Sequence, residues 1–242
     1  MIFAARLAQF VRCGKDRYCD AMFELDRDGL MLRKRACSEA ELQQIEAALS
    51  QVAPDRAGVR LSGIIGLTQP LSINGCIGRL VKATLGSQAQ AVRAILFDKS
   101  VTTNWALGWH QDRTIVVKKR IDCDGFGPWS IKTGLQHVAP PFALLSRMLT
   151  LRVHLDPVVD DNGPLLVAIA SHRHGAIPEK QIEGIIKESR IFACEAERGD
   201  VWLYSTPILH ASKAASTPSR RRVLQIDYSA DLLPGGLEWL AV

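Results

Sequence analysis

Six histidines could supply metal ligands or bases: His110, His137, His154, His172, His174 and His210. Two of them open a His-x-Asp triplet, His110-Gln111-Asp112 and His154-Leu155-Asp156. On an extended strand, residues i and i+2 face the same side, so either triplet can aim an imidazole and a carboxylate at one ion. A third ligand from a distant strand would complete two histidines and one carboxylate on one face of an octahedron. Three adjacent positions then stay open, the arrangement that non-haem Fe(II) oxygen chemistry uses. A His-x-Asp triplet also arises as an ordinary hydrogen-bonded pair, so the surroundings must separate the two.

The surroundings differ. His154 lies in the apolar run 149–155, and Asp156 stands at its exit before Pro157. His110 follows Trp105, Gly108 and Trp109 and precedes the apolar Ile115-Val116-Val117, which suits a pocket wall better than a packed strand centre. Further on, His210 closes the run that starts at Gly199-Asp200, and Arg221 comes eleven residues after it, at the head of a strand over 223–228. A ligand histidine followed by an arginine on the next strand suits a co-substrate with two carboxylates. One end chelates the metal, and a guanidinium grips the other bidentately. Strand alternation gives Arg221 one face and Arg220 and Arg222 the other, where they read as solvated charge.

These segments resemble, in order, the phytanoyl-CoA dioxygenase-like Fe(II)/2-oxoglutarate-dependent oxygenases. Gly108-Trp109-His110-Gln111-Asp112 resembles the proximal ligand segment of that family. Residues 151–156, Asp161-Asn162-Gly163-Pro164-Leu165 and Ser171-His172-Arg173-His174-Gly175 are similar to its central strand, Asn-Gly-Pro turn and Ser-His-x-x-Gly segment. Arg198-Gly199-Asp200 through His210-Ala211-Ser212 resembles its distal-histidine strand, and Arg221-Arg222-Val223-Leu224 its arginine-bearing last strand. The resemblance implies Fe(II) held by His110, Asp112 and His210, with Arg221 on the distal carboxylate of 2-oxoglutarate and Ser212 assisting. It places His154 and Asp156 on the central strand, away from the metal. Gln111 and Asn104 are candidates for lining the pocket. The activity implied is hydroxylation of an unactivated C–H bond of a small soluble metabolite by O2, with succinate and CO2 as co-products. Related halogenases carry a small residue at the carboxylate position, so Asp112 favours hydroxylation, desaturation or ring closure over halogenation. Two alternatives stand beside this one: a cupin-like metalloprotein that does not use 2-oxoglutarate, and a non-catalytic accessory protein that retains the fold.

The elements that must carry these residues are mostly strands. Short apolar runs at 91–97, 115–117, 149–155, 165–169, 201–204 and 223–228 are separated by turns such as Asp161-Asn162-Gly163-Pro164 and Gly199-Asp200. Without alternating βα units they predict a sandwich or barrel. Together with the resemblance, this gives an α+β class with a double-stranded β-helix (jelly-roll, cupin-like) core over 90–230. Ahead of it comes a mainly helical lead-in over 1–89, and behind it a tail over 231–242, all in one domain. Ser38-Glu39-Ala40-Glu41 forms a capping box ahead of Leu42, Ile45 and Leu49. Further helices are predicted over 77–85 and 179–186. Residues 23–25 and 29–32 read as extended pieces, and 125–140 as an irregular segment that covers the substrate or lies on the surface. In it sits His137, while His172 and His174 read as surface histidines.

Composition narrows the partners. Of 242 residues, 47% are hydrophobic and 23% charged, so the chain is globular and long enough to fold without a structural staple. A net charge of +5 with 6% aromatics argues against nucleic acid and fits small anionic ligands. Cys13, Cys19, Cys37, Cys76, Cys123 and Cys194 form no CxxC pair and read as free thiols of a reducing compartment. Arg6 interrupts any apolar signal stretch and no run is long enough for a membrane span, so a cytoplasmic setting is expected. The oligomeric state is left open.

Overall fold

The computed structural model describes residues 10–11, 23–53 and 56–242. Cys13, Cys19 and the N-terminal residues 1–6 lie outside the described residues. Two sheets face each other as a double-stranded β-helix. The larger has the order β2 (Leu30–Arg33), β12 (Val201–Ser205), β9 (Leu149–His154), β14 (Arg221–Ser229), β4 (Gln90–Lys99) and β3 (Val59–Leu61). The smaller has the order β1 (Phe10–Val11), β11 (Ile191–Cys194), β10 (Leu165–Ala168), β13 (His210–Ser212) and β5 (Leu107–His110). Consecutive strands change sheets at β4 to β5, at β9 to β10 and at every step from β11 to β14, so residues far apart in sequence meet between the layers.

The larger sheet is covered on both faces, and its alternation separates two chemistries. Leu149, Leu151 and Val153 of β9, with Leu224, Ile226 and Tyr228 of β14, form the outer face and pack into one apolar cluster. Against them lie Leu42, Ile45 and Leu49 of the helix α2 (Glu39–Leu49). Each such side chain contributes about 1.5–3 kcal/mol on burial. The alternate residues point inward, and many are polar: Arg152 on β9, Gln225 and Asp227 on β14, all buried. A polar row inside a covered sheet must be satisfied locally, and this one opens on a cavity. Toward the other end of the interlayer space, Leu30, Phe192, Trp202 and Tyr204 close the layers with apolar packing.

The capping box is present: Ser38 Oγ accepts from the Glu41 amide at 3.3 Å, and Glu41 Oε2 accepts from the Ser38 amide at 2.7 Å. One turn, α1 (Leu25–Asp28), precedes β2 where residues 23–25 read as extended, and Gly29 reverses the chain at φ 80°. The helix over 77–85 is broken into a 3-10 turn at Gly78–Leu80 and α4 (Lys82–Leu85). The backbone packs so closely here that a Cβ at Gly78 would stand 2.0 Å from the Ser72 carbonyl oxygen. An unexpected helix, α3 (Ile65–Leu71), contains Pro70 and packs beside α2. The turn α5 (Phe142–Leu145) leads into β9, and α6 (Glu179–Glu188) matches the expected 179–186 within two residues.

The segment 125–140 is not irregular. With β6 (Ile115–Val117) it forms a third sheet in the order β6, β8 (Leu135–Val138), β7 (Trp129–Lys132). Ile115, Val117 and Val138 give this sheet an apolar face, on which Leu237 and Trp239 of the tail pack. No helix among the described residues is long and apolar enough to cross a membrane.

Candidate metal centre and its cavity

β5 and β13 are neighbours, and their register sets His110 directly opposite His210. The two imidazoles lie with ring centroids 4.2 Å apart and tilted by 57°. Asp112, two residues beyond His110, completes a group whose ligand atoms all lie within 4.8 Å of one another. Each histidine is oriented the same way. Nδ1 of His110 is 2.7 Å from the Gly108 carbonyl oxygen, and Nδ1 of His210 is 2.9 Å from that of Ile208. A carbonyl only accepts, so Nδ1 carries a proton in both rings and Nε2 is the atom left to face a metal. Burial, then the neighbouring His110, push the His210 imidazole down to about 4, so it is neutral at pH 7.

The carboxylate is managed by a buried guanidinium. Arg93 on β4 donates from Nε to Asp227 at 2.5 Å and from a terminal nitrogen to Asp112 at 3.1 Å. Asp227 also accepts from Thr150 Oγ1 at 3.1 Å. Burial alone would raise both carboxyls. Arg93 and the two histidines hold Asp112 below the usual range, whereas burial and the Asp112 charge leave Asp227 raised. The surroundings therefore favour the charged form more at Asp112 than at Asp227. Two neutral Nε2 atoms and one carboxylate suit a divalent first-row metal, so the donor set fits the ion expected. Arg93→Lys keeps a charge but loses the two-armed grip. It is expected to weaken Co(II) binding about 10- to 100-fold, read by calorimetry.

The triad opens on a cavity of about 890 Å³, within the range of about 300–1,000 Å³ typical of small-molecule sites. Arg221 lines it and is 3% exposed. One terminal nitrogen donates to the Gly163 carbonyl, Nε has no partner, and no carboxylate pairs with it among the described residues. Burial and the nearby Arg152 push its pKa down to about 9. Lys99, its cross-strand neighbour, is pushed down to about 8 by burial, Arg221 and Arg152. Lys99 donates only to the Lys213 carbonyl, while Arg152 donates to Gln225. Arg221 and Arg152 thus line the cavity with Lys99 beside Arg221 on the next strand, and no acid pairs with any of the three among the described residues.

Of the other candidates, Ser212 lines the cavity, though the strand irregularity between His210 and Ser212 breaks their shared register. Gln111 touches the cavity, but its carboxamide is spent on three backbone groups, at Gly175, Pro207 and Ile177. Asn104 is not among the lining residues, and both ends of its amide hold Ala215. Arg220 pairs with Asp98, and Arg222 with Asp156 and Glu46, on the side opposite Arg221. The second triplet is accordingly taken apart: Asp156 is bound to Arg222, while His154 is buried with both ring nitrogens unpaired. His172 reaches the Asp26 carbonyl and His174 is exposed, both away from the cavity lining. Sequence reading passed over Arg60 and the cavity role of His137, which the strand register alone brings to the cavity wall, and Lys99, which the same register sets beside Arg221.

The model of the family described as Phytanoyl-CoA dioxygenase (PhyH) matches residues 25–223. No curated protein matches the chain. Among solved structures, EctD from S. alaskensis, with 2-oxoglutarate and 5-hydroxyectoine, aligns at TM-score 0.62 and 18% identity over 92% of this chain and 79% of its own. HygX from Streptomyces hygroscopicus, with nickel and 2-oxoglutarate, aligns at TM-score 0.58 and 13% identity, covering 88% of this chain and 87% of its own. AviO1 from Streptomyces viridochromogenes Tue57 aligns at TM-score 0.59 and 15% identity over 93% and 98% of the two chains. At such identities the likeness concerns the fold.

Proposed function

From the premise that the chain belongs to the phytanoyl-CoA dioxygenase family, non-haem iron oxygenases that use 2-oxoglutarate, we propose that it hydroxylates an unactivated C–H bond of a small soluble metabolite. One oxygen atom of O2 enters the alcohol and the other enters succinate, with loss of CO2. Bound Fe(II) supplies the redox chemistry that couples decarboxylation of the keto acid to C–H oxidation.

The chain's own residues prepare that chemistry. His110 and His210 offer Nε2 lone pairs fixed by their carbonyl partners, and Asp112 offers the charge. Arg221 takes the distal carboxylate of 2-oxoglutarate, with Lys99 and Arg152 adding to the field that draws it in and Ser212 at the same wall. Phe97, Trp105 and Trp109 line the space beside the triad and limit water there. The observation that carries the reading is Arg221, buried without an acid and opening on the same cavity as three convergent ligand side chains. The ligands of the fold relatives support it: HygX holds nickel with 2-oxoglutarate or iron, and EctD holds 2-oxoglutarate with 5-hydroxyectoine. A cytoplasmic setting accords with Cys37, Cys76, Cys123 and Cys194 as free thiols.

The direct test is anaerobic addition of Fe(II) and 2-oxoglutarate. A weak visible metal-to-ligand charge-transfer band is expected, followed by succinate once air is admitted. Iron binding with neither band nor succinate would mark a metalloprotein of another kind.

A further inference from the structure

The cavity has a second cationic wall, remote from Arg221. The register runs Arg152, Gln225, Ile95, Arg60 across β9, β14, β4 and β3. Arg60 thus stands three strands from Arg152, roughly 14 Å at the usual strand spacing. Arg221 instead pairs with Lys99, four residues along β4 from the partner of Arg60. Beside Arg60 the third sheet turns one face to the cavity, presenting His137 and, two places from its cross-strand partner, Lys132.

This wall is polar and unsatisfied. His137 is 1% exposed; its Nδ1 lies 3.5 Å from Thr114 Oγ1, and its Nε2 has no partner. Nε of Arg60 is likewise buried without a partner. No carboxylate pairs with Arg60 or Lys132 among the described residues: Asp112 is taken by Arg93 and Glu183 by Lys187, and Glu179, also on the cavity lining, is exposed and forms no ion pair with either. The field is positive enough that burial, Lys132, Arg60 and Arg93 push His137 down to about 4, leaving a neutral ring beside free cations. Buried unpaired donors cost about 1–3 kcal/mol each, and such a group in a cavity calls for a ligand that completes it. The co-substrate does not, because 2-oxoglutarate has one carboxylate for the metal and one for Arg221.

We propose that the wall formed by Arg60, His137 and Lys132 binds an anionic group, a carboxylate or a phosphate, of the primary substrate. The inference rests on reading the cavity as an oxygenase site. It gives the substrate a polarity: the anion lies against β3 and the third sheet, and the C–H bond lies toward His110 and His210.

Protein loaded with Ni(II) and saturating 2-oxoglutarate, which occupies the metal and Arg221, is titrated calorimetrically with butyrate, methylphosphonate and neutral butyramide. At least one anion is expected to bind and butyramide not. Arg60→Gln should weaken the anion about ten-fold or more while leaving 2-oxoglutarate affinity unchanged, and Arg60→Lys should restore most of the loss. Preference for butyrate identifies a carboxylate substrate and preference for methylphosphonate a phosphate; either supports the proposal. Absence of anion binding, equal binding of butyramide, or unaltered binding in Arg60→Gln overturns it. Failure of the nickel-loaded wild type to bind 2-oxoglutarate would strike the oxygenase reading instead, so the two failures are read separately.

Discussion

Asp112→Ala is expected to abolish 2-oxoglutarate-dependent succinate formation, a loss of at least about 10³-fold, while the protein stays folded. Changes to residues that merely support a metal ligand cost about 10- to 100-fold, and removal of the one anionic ligand must cost more. The remaining donors, His110 and His210, are neutral, so a divalent ion would lose both a bond and its charge compensation. The stability side runs the other way. In the wild type, Asp112 and Asp227 share the single guanidinium of Arg93. Burial raises Asp227 and the adjacent Asp112 charge raises it further. Removing Asp112 leaves one buried carboxylate on one guanidinium, so the metal-free variant should unfold at a midpoint no lower than the wild type. Succinate assays and Fe(II) titration read the first effect, and thermal unfolding of metal-free protein reads the second. Unaltered turnover would remove Asp112 from the centre. A collapse in stability would make it a structural residue.

The two triplets show how much of the site is legible in sequence. Spacing alone cannot choose between His110-x-Asp112 and His154-x-Asp156, since both satisfy the two-residue period. The choice comes from the ordered segments around them, and the structure places the difference in where the chain turns after each histidine. β9 ends at His154, so Asp156 leaves the sheet and meets Arg222 outside, whereas His110 ends β5 and Asp112 turns toward His210. Parity at Arg220-Arg221-Arg222 is readable for the same local reason, with one residue buried inward and its neighbours paired outward. Residues delivered by register are not readable. Nothing local in Val59-Arg60-Leu61 marks it as an edge strand beside Ile95, and only that pairing brings Arg60 to the cavity. His137 reads as part of a loop because Gly125, Gly127 and Pro128 dominate the approach, yet β8 pairs with both β6 and β7 and makes residues 129–138 part of a sheet. Helix α3 escapes notice because Pro70 argues against a helix; it sits next to the last residue, so it removes a single intrahelical hydrogen bond and the helix stops one residue beyond it.

Arg221→Ala is expected to raise the 2-oxoglutarate concentration needed for half-maximal succinate formation about 100-fold or more, and to make the unliganded protein more stable. The first effect follows from truncating one member of a desolvated charge pair, which costs about 2–5 kcal/mol when its partner is bound. The second follows from the state of the site without its anion. Arg221 is buried beside Arg152 and Lys99, with a carbonyl but no acid as partner, and these surroundings disfavour its charge. The same surroundings impose a pH dependence. For bases with depressed folded-state pKa values, the unfolded chain binds more protons in the interval between the folded and unfolded values, and stability rises with pH there. That interval begins near 8 for Lys99 and near 9 for Arg221. Unliganded wild type should therefore gain stability as pH rises from about 8, and Arg221→Ala should lack part of that gain. Lys99 should contribute less to it too, because one of the cations that depresses it is gone. Saturating 2-oxoglutarate should reverse the ranking at pH 7, stabilising the wild type and hardly moving the variant. An arginine that served only the fold would give the opposite signs, with lower stability in the variant and equal stabilisation by the diacid. Unfolding curves of both proteins, with and without 2-oxoglutarate and Ni(II), decide between the two.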